Sequence, residues 1–418
     1  MSNSRPVRVL HLIDGLGGGG CERWLWDIVR LTPESFEHRI VTIHPDSGDY
    51  VYADRLRALG AYDQRSGPRL LNILLRKIQD LTASARLVPL RKVLTLMWRL
   101  ACYCLAAPEL LKALIKFRPD VLHAHTYNGF VAGLIVKAVS GKPLVHTVPA
   151  SLRSMKDARH GWMPAFYARS HRWVNRFFTG VSYDELLGMG IPASKLIFFR
   201  CGVDLEATNA IRDERARHYA QIRGSLGIPA DARIALSVGR LHPSKGHLFA
   251  LDALSLLIPQ FANLHWVVLG EGFQRAELEA RAAELGVAEH VHLVGFQPEP
   301  LPFYASANIY LRTPVFEAEN LSSYQAIAMG LPVVGFDTGC ETELIPEVGN
   351  GILVPNRDGA AFARAMARIL SSPDGGRTTG ELGAEYGRKH FDIRQVVSMF
   401  FSVYSDLGEE RRAGASRL

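Results

Sequence analysis

Residues 312–334 contain the residue types of an anion-binding loop and helix. Glu317 follows the apolar run Ile309–Leu311, and the polar sequence Asn320–Ser322 opens a predicted helix. Asparagine and serine are favoured at helix starts, where unpaired backbone N–H groups can bind phosphate oxygens. Gln325 lies on the same predicted helix, eight residues after Glu317. The segment therefore predicts a diphosphate-binding site; the alternative is a loop acid and an exposed helical glutamine without a ligand.

Two cations lie five residues apart in a second loop. Arg240 and Lys245 follow the predicted strand Ile234–Val238 and precede Gly246 and a predicted helix. An arginine can hold two phosphate oxygens at once, whereas a lysine adds a point charge. Charge-assisted hydrogen bonds of this kind contribute roughly 1.5–3 kcal/mol each. Because surface cations are common, it is the position between a strand and a helix that favours a phosphate-binding pair.

A glycine-rich loop follows the first predicted strand, Val7–Ile13. Five glycines occupy positions 15–20, and Gly19 and Gly20 stand directly before a predicted helix. Glycine lets a backbone approach an anion closely, so the loop predicts phosphate contact at these two residues. The run also matches a dinucleotide-binding pattern, but so many glycines satisfy that pattern easily, and Asp46 is a poor ribose-binding acid. The alternative is a tight turn with no ligand.

His123 and His125 end the apolar run that begins at Val121. Open α/β sheets bind ligands beyond the carboxyl ends of their strands, and a histidine there can hydrogen-bond a sugar or transfer a proton. We expect the two side chains to point to opposite faces, so that they do not share a metal. One of them is then structural, and His125 faces the ligand.

The elements that position these residues alternate between apolar strands and amphipathic helices, which predicts parallel sheets covered on both faces. The strand series restarts near residue 205. We therefore predict two doubly wound α/β domains, 1–205 and 206–390, followed by a C-terminal helix within 391–418 that packs back on the first domain. The predicted strands are Val7–Ile13, Arg39–His44, Val121–His125, Pro143–Val148 and Phe178–Val181, then Ile234–Val238, His265–Leu269, Val291–Val294, Ile309–Leu311, Pro332–Gly335 and Gly351–Val354.

Composition is typical of a soluble enzyme, with 418 residues of which 48% are hydrophobic and 21% charged. The chain has no apolar run long enough to span a bilayer and no apolar core of a secretory signal near its start. Its five cysteines are scattered, which predicts free thiols in the reducing cytoplasm.

Charge is distributed unevenly. Residues 1–200 carry 28 Lys and Arg against 15 Asp and Glu, whereas residues 201–418 carry 20 against 26. Within the first half, 67–117 is a predicted helical insertion in which basic and apolar residues are mixed, as in helices that lie in a membrane interface. We expect this segment to touch an anionic membrane surface, on the inner face of the cell membrane; the alternative is a solvated helix packed on the sheet. Nucleic acid is disfavoured because no recognised binding motif accompanies the charge.

Together these motifs resemble family 4 of the retaining glycosyltransferases. The resemblance covers most of the chain, and its strength lies in the order and spacing of the motifs. It is carried by the glycine loop through Glu22, Pro119–His125, Cys201–Asp204, Val238–Gly246, Leu269–Gly272, Leu293–Phe296 and Glu317–Val334.

The resemblance implies a GT-B fold, with two Rossmann-like domains that face each other across a cleft. It implies glycosyl transfer with retention, from a UDP- or GDP-linked sugar in the second domain to a saccharide or lipid-linked acceptor in the first, in cell-surface polysaccharide or glycolipid synthesis. No metal and no cofactor besides the donor are expected. The implied roles are diphosphate neutralisation by Arg240 and Lys245, phosphate contact by Gly19, Gly20, Asn320, Leu321 and Ser322, base contact by Gly295 and Phe296, sugar contact by Glu317, ribose contact by Gln325, and sugar or acceptor contact by His125.

Three residues depart from the family pattern. Gln325 replaces a glutamate, Cys201 stands where asparagine is usual, and Pro149 stands where histidine is frequent. These departures leave open a catalytically inactive scaffold of the same fold. An NAD-dependent oxidoreductase would use the glycine loop but leaves Arg240, Lys245 and Glu317 unexplained. A sugar-nucleotide epimerase shares the fold type but has different motifs.

Overall fold

The computed structural model describes residues 5–17, 19–44, 51–62, 88–148, 163–180, 182–315, 320–339 and 341–415. These residues form two compact units. The first contains the described residues of 1–149, 159–199 and 397–418, and the second those of 200–396. Glu317, Pro149 and the part of the basic insertion before residue 88 lie outside the described residues.

The first unit is built on a parallel six-stranded sheet with the strand order β2-β1-β3-β4-β5-β6. Its strands are short runs of buried, mainly apolar residues, as expected where helices cover both faces of a parallel sheet. They are β1 (Val7–Ile13), β2 (Phe36–Thr42), β3 (Val121–Ala124), β4 (Leu144–Thr147), β5 (Arg176–Thr179) and β6 (Leu196–Phe198).

Helices pack on both faces of this sheet. On one face the core includes Ile13 and Leu25, and the ring of Phe400 stacks there on Phe178 with centroids 3.7 Å apart. On the other face, the ring of Phe130 stacks on His146 with centroids 4.1 Å apart. The helices of the unit are α1 (Gly20–Arg30), α2 (Val51–Ala58), α3 (Val88–Lys112), which continues into a π-helical turn (Ala113–Phe117), α4 (Tyr127–Ser140), α5 (Met163–Ser170), α6 (Tyr183–Gly188) and the residues from 397 onward of the last helix, Ile393–Ala415.

The second unit contains another parallel six-stranded sheet, with the order β12-β11-β10-β7-β8-β9. Its strands are β7 (Arg233–Val238), β8 (Leu264–Leu269), β9 (Val291–Gly295), β10 (Ile309–Arg312), β11 (Val333–Phe336) and β12 (Gly351–Val354). Its helices are α7 (Leu205–Asp213), α8 (Arg215–Leu226), α9 (His247–Leu257), α10 (Arg275–Glu284), α11 (Leu301–Ser306), α12 (Leu321–Met329), α13 (Glu341–Val348), α14 (Gly359–Leu370), α15 (Arg377–His390) and the start of α16 (Ile393–Ala415).

The core of the second unit lies between its sheet and the helices on one face. Trp266 of β8 is fully buried there, and its indole N–H donates to the Ser237 hydroxyl at 3.0 Å. Leu251 of α9 and Phe362 of α14 pack in the same cluster. These packed apolar side chains hold β7 and β10 in place, and with them the loops that follow the carboxyl ends of both strands.

The prediction of two doubly wound α/β sheets is confirmed. β1 and β12 have the predicted bounds, and most other strands differ by one or two residues. The prediction missed β6, Leu196–Phe198, because three residues that end in an exposed phenylalanine carry little strand pattern. Among the described helices, none combines the length and hydropathy needed to cross a membrane.

Candidate active site

Each sheet has a point where the strand order reverses. The loops that the sequence analysis singled out follow the strands that meet at these two points. In the second unit, β7 and β10 pair at this point, and the loops after them contain Arg240, Lys245 and Asn320. In the first unit, β1 and β3 pair at the corresponding point, followed by the glycine loop and His125. Ligands of open α/β sheets bind in the crevice outside the carboxyl ends of strands at such a switch point.

The loop with the two cations is shaped by a close backbone approach. Gly246 has φ +65°, and a Cβ there would lie 1.9 Å from the carbonyl oxygen of Thr313, so only glycine fits. The amide N–H of Val315 donates to the carbonyl oxygen of Ser244 at 2.8 Å. The loop after β7 is thereby fastened to the loop after β10. Arg240 is exposed and Lys245 half-buried at this junction.

The cations raise the local positive potential. Burial lowers the pKa of His242, and the charges of Arg240 and Lys245 lower it further. Burial also lowers the pKa of His247 to about 4, to which Lys245 and Arg312 contribute. The part of this lowering that the cations cause reflects a positive potential, which favours an anion.

Asn320 caps α12 at the edge of this region. Its carboxamide lies within hydrogen-bond distance of the Ser322 and Ser323 hydroxyls, at 2.7 and 2.9 Å. The Ser322 hydroxyl donates to the carbonyl oxygen of Val238 (3.3 Å) and accepts from the phenol of Tyr310 (2.8 Å). The start of α12 is thus held against the end of β7, close to the cation loop. The structure therefore assembles two of the predicted phosphate-binding groups in one place.

Behind this helix start lies an ion pair that the sequence interpretation missed. Arg312 ends β10, and its Nε lies 3.0 Å from a carboxylate oxygen of Glu341, at the start of α13. The two side chains are 4% and 0% exposed. The Ser323 hydroxyl donates to the same carboxylate oxygen at 2.6 Å. The pair therefore links β10, α12 and α13 beneath the helix start, and no spacing in the sequence indicates it.

The remaining residues that were predicted to bind the sugar donor are described next. Gln325 lies on the second turn of α12 and is 8% exposed, so it is not the exposed helical residue of the alternative interpretation. Its side chain forms no hydrogen bond with another described residue. Gly295 has φ +90°, and its carbonyl oxygen accepts the N–H of Gly270 at 2.8 Å. Phe296 follows with its side chain 40% exposed.

In the first unit, the glycine loop leads into a polar cluster. Gly19 caps α1, and the Glu22 carboxylate folds over it, since a Cβ on Gly19 would lie 2.4 Å from a Glu22 oxygen. Asp14, at the end of β1, accepts hydrogen bonds from the Thr126 hydroxyl (2.5 Å) and the Asn128 amide (3.1 Å). The sequence interpretation missed this cluster, although the position of Asp14 after the first strand could have indicated it. Its carboxylate and amide could bind sugar hydroxyls.

His125 lies in a chain of buried histidines that crosses β1, β2 and β3. Its Nε2 is 2.9 Å from Nδ1 of His11, whose Nε2 is 2.7 Å from Nδ1 of His38. The Nδ1 atom of His125 has no hydrogen-bond partner among the described residues. Burial lowers the pKa of His125 to about 3, and the neighbouring histidines add to this effect. The ring is therefore neutral at neutral pH, where it can donate or accept a hydrogen bond.

The expected orientation of His123 and His125 was wrong. Residues two apart on a strand lie on the same face, and the two rings contact each other with centroids 3.9 Å apart. His123 is held by the Thr147 hydroxyl (2.8 Å) and the Tyr404 phenol (2.5 Å). Nitrogen atoms of His11, His123 and His125 lie within 4.8 Å of one another, so the ground given for excluding a shared metal does not hold.

Two parallel six-stranded sheets, each with candidate binding loops at a switch point, define a GT-B-type protein of two Rossmann-like units. Residues 18–207 match the family model described as glycosyltransferase family 4, and residues 219–389 match that of glycosyl transferases group 1. The chain belongs to the group 1 glycosyltransferases of the family 4 type. The family prediction is confirmed, and the dehydrogenase interpretation of the glycine loop is dropped.

Among curated relatives, the chain is similar to the D-inositol 3-phosphate glycosyltransferase of Thermobispora bispora, with 29% identity over 62% of this chain and 64% of that protein. The match thus spans a little under two thirds of that relative. The amylovoran biosynthesis glycosyltransferase AmsK of Erwinia amylovora is 28% identical over 60% of this chain and 62% of its own length. Among solved structures, Anabaena HepE in complex with UDP-glucose has the same fold, with a TM-score of 0.73 and 17% identity over 96% of this chain and 99% of that one.

Proposed function

We propose that this protein is a retaining glycosyltransferase that moves a sugar from a UDP- or GDP-linked donor to an acceptor hydroxyl, without a metal. The observation that carries the proposal is the fastening of the Arg240–Lys245 loop to the segment that leads into α12, at the switch point of the second unit. In the reaction, the bond from the anomeric carbon to the diphosphate breaks and a bond to the acceptor oxygen forms. Negative charge grows on the departing diphosphate, where Arg240, Lys245 and the amides at Asn320–Ser322 would stabilise it.

Glu317 would hydrogen-bond the donor sugar, and the backbone at Gly295 and Phe296 would contact the base. The acceptor would bind at the first unit, where Asp14 borders the switch point and His125 offers a neutral imidazole. A saccharide or lipid-linked acceptor at an anionic membrane surface fits the basic first half, in a cytoplasmic protein of cell-surface polysaccharide or glycolipid synthesis. Support for this role comes from the similarity to AmsK, whose name assigns it to amylovoran biosynthesis.

Replacing Lys245 by alanine is expected to lower turnover about 10²–10³-fold, as removal of one donor to a developing anion does elsewhere. The measurement is release of UDP or GDP from a panel of nucleotide sugars in the presence of saccharide acceptors. Arg240→Ala should show a loss of similar size. Lys389→Ala, which removes an exposed lysine of α15, is the matched control and should retain full activity. Equal inactivity of the wild type and both variants with every donor would favour the inactive scaffold.

Gln325→Glu is expected to tighten donor binding about fivefold, because a carboxylate accepts the ribose hydroxyls with charge assistance worth roughly 1 kcal/mol. Calorimetric titration with UDP and with GDP measures the change. Gln260→Glu adds the same charge at an exposed position and should leave both affinities unchanged. Unchanged or weaker binding by Gln325→Glu would show that residue 325 does not contact the ribose.

A further inference from the structure

A cavity of about 460 Å³ lies in the second unit, at the amino ends of β10 and β11. Asn308 and Pro332, which directly precede these two strands, line it together with the amino-terminal parts of α8 and α15. The sheet is parallel, so the loops that contain Arg240 and Asn320 leave the opposite ends of its strands. The cavity is therefore separate from the candidate active site.

The walls of the cavity are largely apolar. Ala216 and Tyr219 of α8 form part of them, together with Ala307 and Pro332. Two arginines complete the lining. Small-molecule sites typically have volumes of about 300–1,000 Å³ and combine apolar walls with a few polar groups. The cavity has both the size and the composition of such a site.

Arg215, at the start of α8, is held at the cavity by two backbone carbonyl groups. Its Nε atom donates to the carbonyl oxygen of Ala305 at 2.9 Å, and its Nη2 atom donates to that of Ala307 at 3.1 Å. The third nitrogen, Nη1, forms no hydrogen bond with the described residues. The guanidinium group is thus fixed in position and keeps N–H donors for a ligand.

The charge of Arg215 is not matched by an acidic partner. Burial lowers the pKa of Arg215, and the charge of Arg212 lowers it further, whereas Glu381 opposes this effect. The Glu381 carboxylate pairs with Arg212. Arg215 itself forms no ion pair with the acidic side chains that the structure describes.

Arg377, the first residue of α15, adds a second guanidinium group to the lining. Its side chain is exposed and pairs with no acidic residue in the described ranges. Asp374 also lines the cavity, but its carboxylate accepts the N–H groups of Gly376 at 3.1 Å and Thr378 at 2.7 Å. Two guanidinium groups against one carboxylate that is already engaged leave the lining with a net positive charge.

The chemistry of the lining indicates the class of ligand. Arginine binds phosphate oxygens through paired, charge-assisted hydrogen bonds. Two guanidinium groups match the double charge of a phosphate monoester, and the apolar walls match its organic part. An inorganic anion would leave those walls in contact with water.

We propose that this cavity binds the phosphate monoester of a small organic molecule, with Arg215 and Arg377 at the phosphate and Tyr219 and Pro332 against the organic group. This second ligand site lies outside the reaction proposed above and does not depend on it.

The test is calorimetric titration of the full chain with phenyl phosphate, in which a phosphate monoester is joined to an apolar ring. Phenyl phosphate should bind about tenfold more tightly than inorganic phosphate, because only the ester buries apolar surface against the walls. It should also bind more tightly than benzoate, which has the same ring but a single charge. Equal affinity for inorganic phosphate would overturn the organic ligand, and equal affinity for benzoate would overturn the phosphate.

Two variants locate the binding site. Arg377→Gln removes one guanidinium group and should weaken the binding of phenyl phosphate about tenfold or more. Ala216→Phe places a ring in the cavity and should weaken binding without a change of charge. Both positions are exposed, so the fold should tolerate these substitutions. The matched controls are Arg364→Gln, at an exposed position of α14, and Ala216→Ser, which keeps the cavity open; both should bind like the wild type.

Lys245→Ala separates this cavity from the cation loop of the candidate active site and should leave the affinity for phenyl phosphate unchanged. A loss in Lys245→Ala would assign the ligand to that loop and overturn the inference. An equal loss in Arg377→Gln and Arg364→Gln would overturn it in favour of general electrostatic attraction, and a wild type that does not bind phenyl phosphate would overturn it outright. No step of the test uses the sugar donor, so its result is independent of the proposed function.

Discussion

The free energy of unfolding of this protein is expected to fall steeply as the pH drops below 6.5. The cause is the histidine cluster of the first unit, whose members are His11, His38, His123, His125 and His146. Burial lowers the pKa of His38, His125 and His146 to about 3 each, and that of His11 and His123 well below the usual value. The folded state therefore keeps these rings neutral at pH values where the unfolded chain takes up protons.

The direction of this pH dependence follows from the linkage between protonation and folding. A group whose pKa is lowered by folding stabilises the protein fully above its unfolded pKa of 6.5, and that contribution is lost as the pH falls towards the folded pKa near 3. Each such histidine costs about 1.4 kcal/mol per pH unit in this window. Three of them alone would remove about 4 kcal/mol per pH unit, against a total stability of roughly 5–15 kcal/mol for a typical domain. We therefore expect the first unit to unfold between about pH 5.5 and pH 3.

Hydrogen bonding within the histidine cluster also opposes protonation. A neutral imidazole has one donor and one acceptor nitrogen, so His11 can accept from one neighbour and donate to the other. Protonation of His11 would place two N–H donors against neighbours that must then both accept. The chain from His125 through His11 to His38 tolerates that only if the neighbour that donated to His11 changes its tautomer.

Urea unfolding followed by tryptophan fluorescence at a series of pH values from 7.5 to 4.5 measures the effect. His38→Gln removes one titrating ring and should reduce the pH slope by about 1.4 kcal/mol per pH unit. The exposed His390, replaced by glutamine, is the matched control and should leave the slope at the wild-type value. A free energy of unfolding that stays constant from pH 7 to pH 5 would contradict the prediction.

Glu341→Gln is expected to lower the free energy of unfolding by about 3–5 kcal/mol, because it removes the carboxylate from a fully buried ion pair. The substitution keeps the size of the side chain but leaves the guanidinium of Arg312 in the interior without this counter-charge. The Ser323 hydroxyl also loses a charged acceptor at 2.6 Å. Chemical denaturation at pH 7.5 measures the loss, and Glu343→Gln, at an exposed position of α13, should change little.

The same variant tests how the ion pair supports the site. Ser323 lies in the first turn of α12, whose start carries the predicted phosphate-binding amides. Loosening of this turn should weaken UDP or GDP binding in folded Glu341→Gln at low temperature. A variant that is destabilised but binds nucleotide like the wild type would confine the ion pair to a role in stability. A variant as stable as the wild type would contradict the expected cost of removing the carboxylate.

The sequence by itself determined the fold class and the order of the sites. Apolar strands, glycine turns and helix starts are local patterns, so β1 and β12 were predicted with their observed bounds. The positions of Arg240, Lys245 and Asn320 at the ends of strands followed from the same local signals. Their convergence at the junction of β7 and β10 needed only the reversal of strand order that doubly wound sheets share.

Only the tertiary structure decided which distant side chains meet in the interior. His11 and His125 are 114 residues apart, and their hydrogen bond arises because β1 and β3 are neighbours in the sheet. Arg312 at the end of β10 pairs with Glu341 at the start of α13, 29 residues further along the chain. Such contacts depend on strand register and helix packing, which bring together residues that have no fixed spacing along the chain. For that reason the buried ion pair and the neutral histidine chain have no counterpart in the sequence patterns.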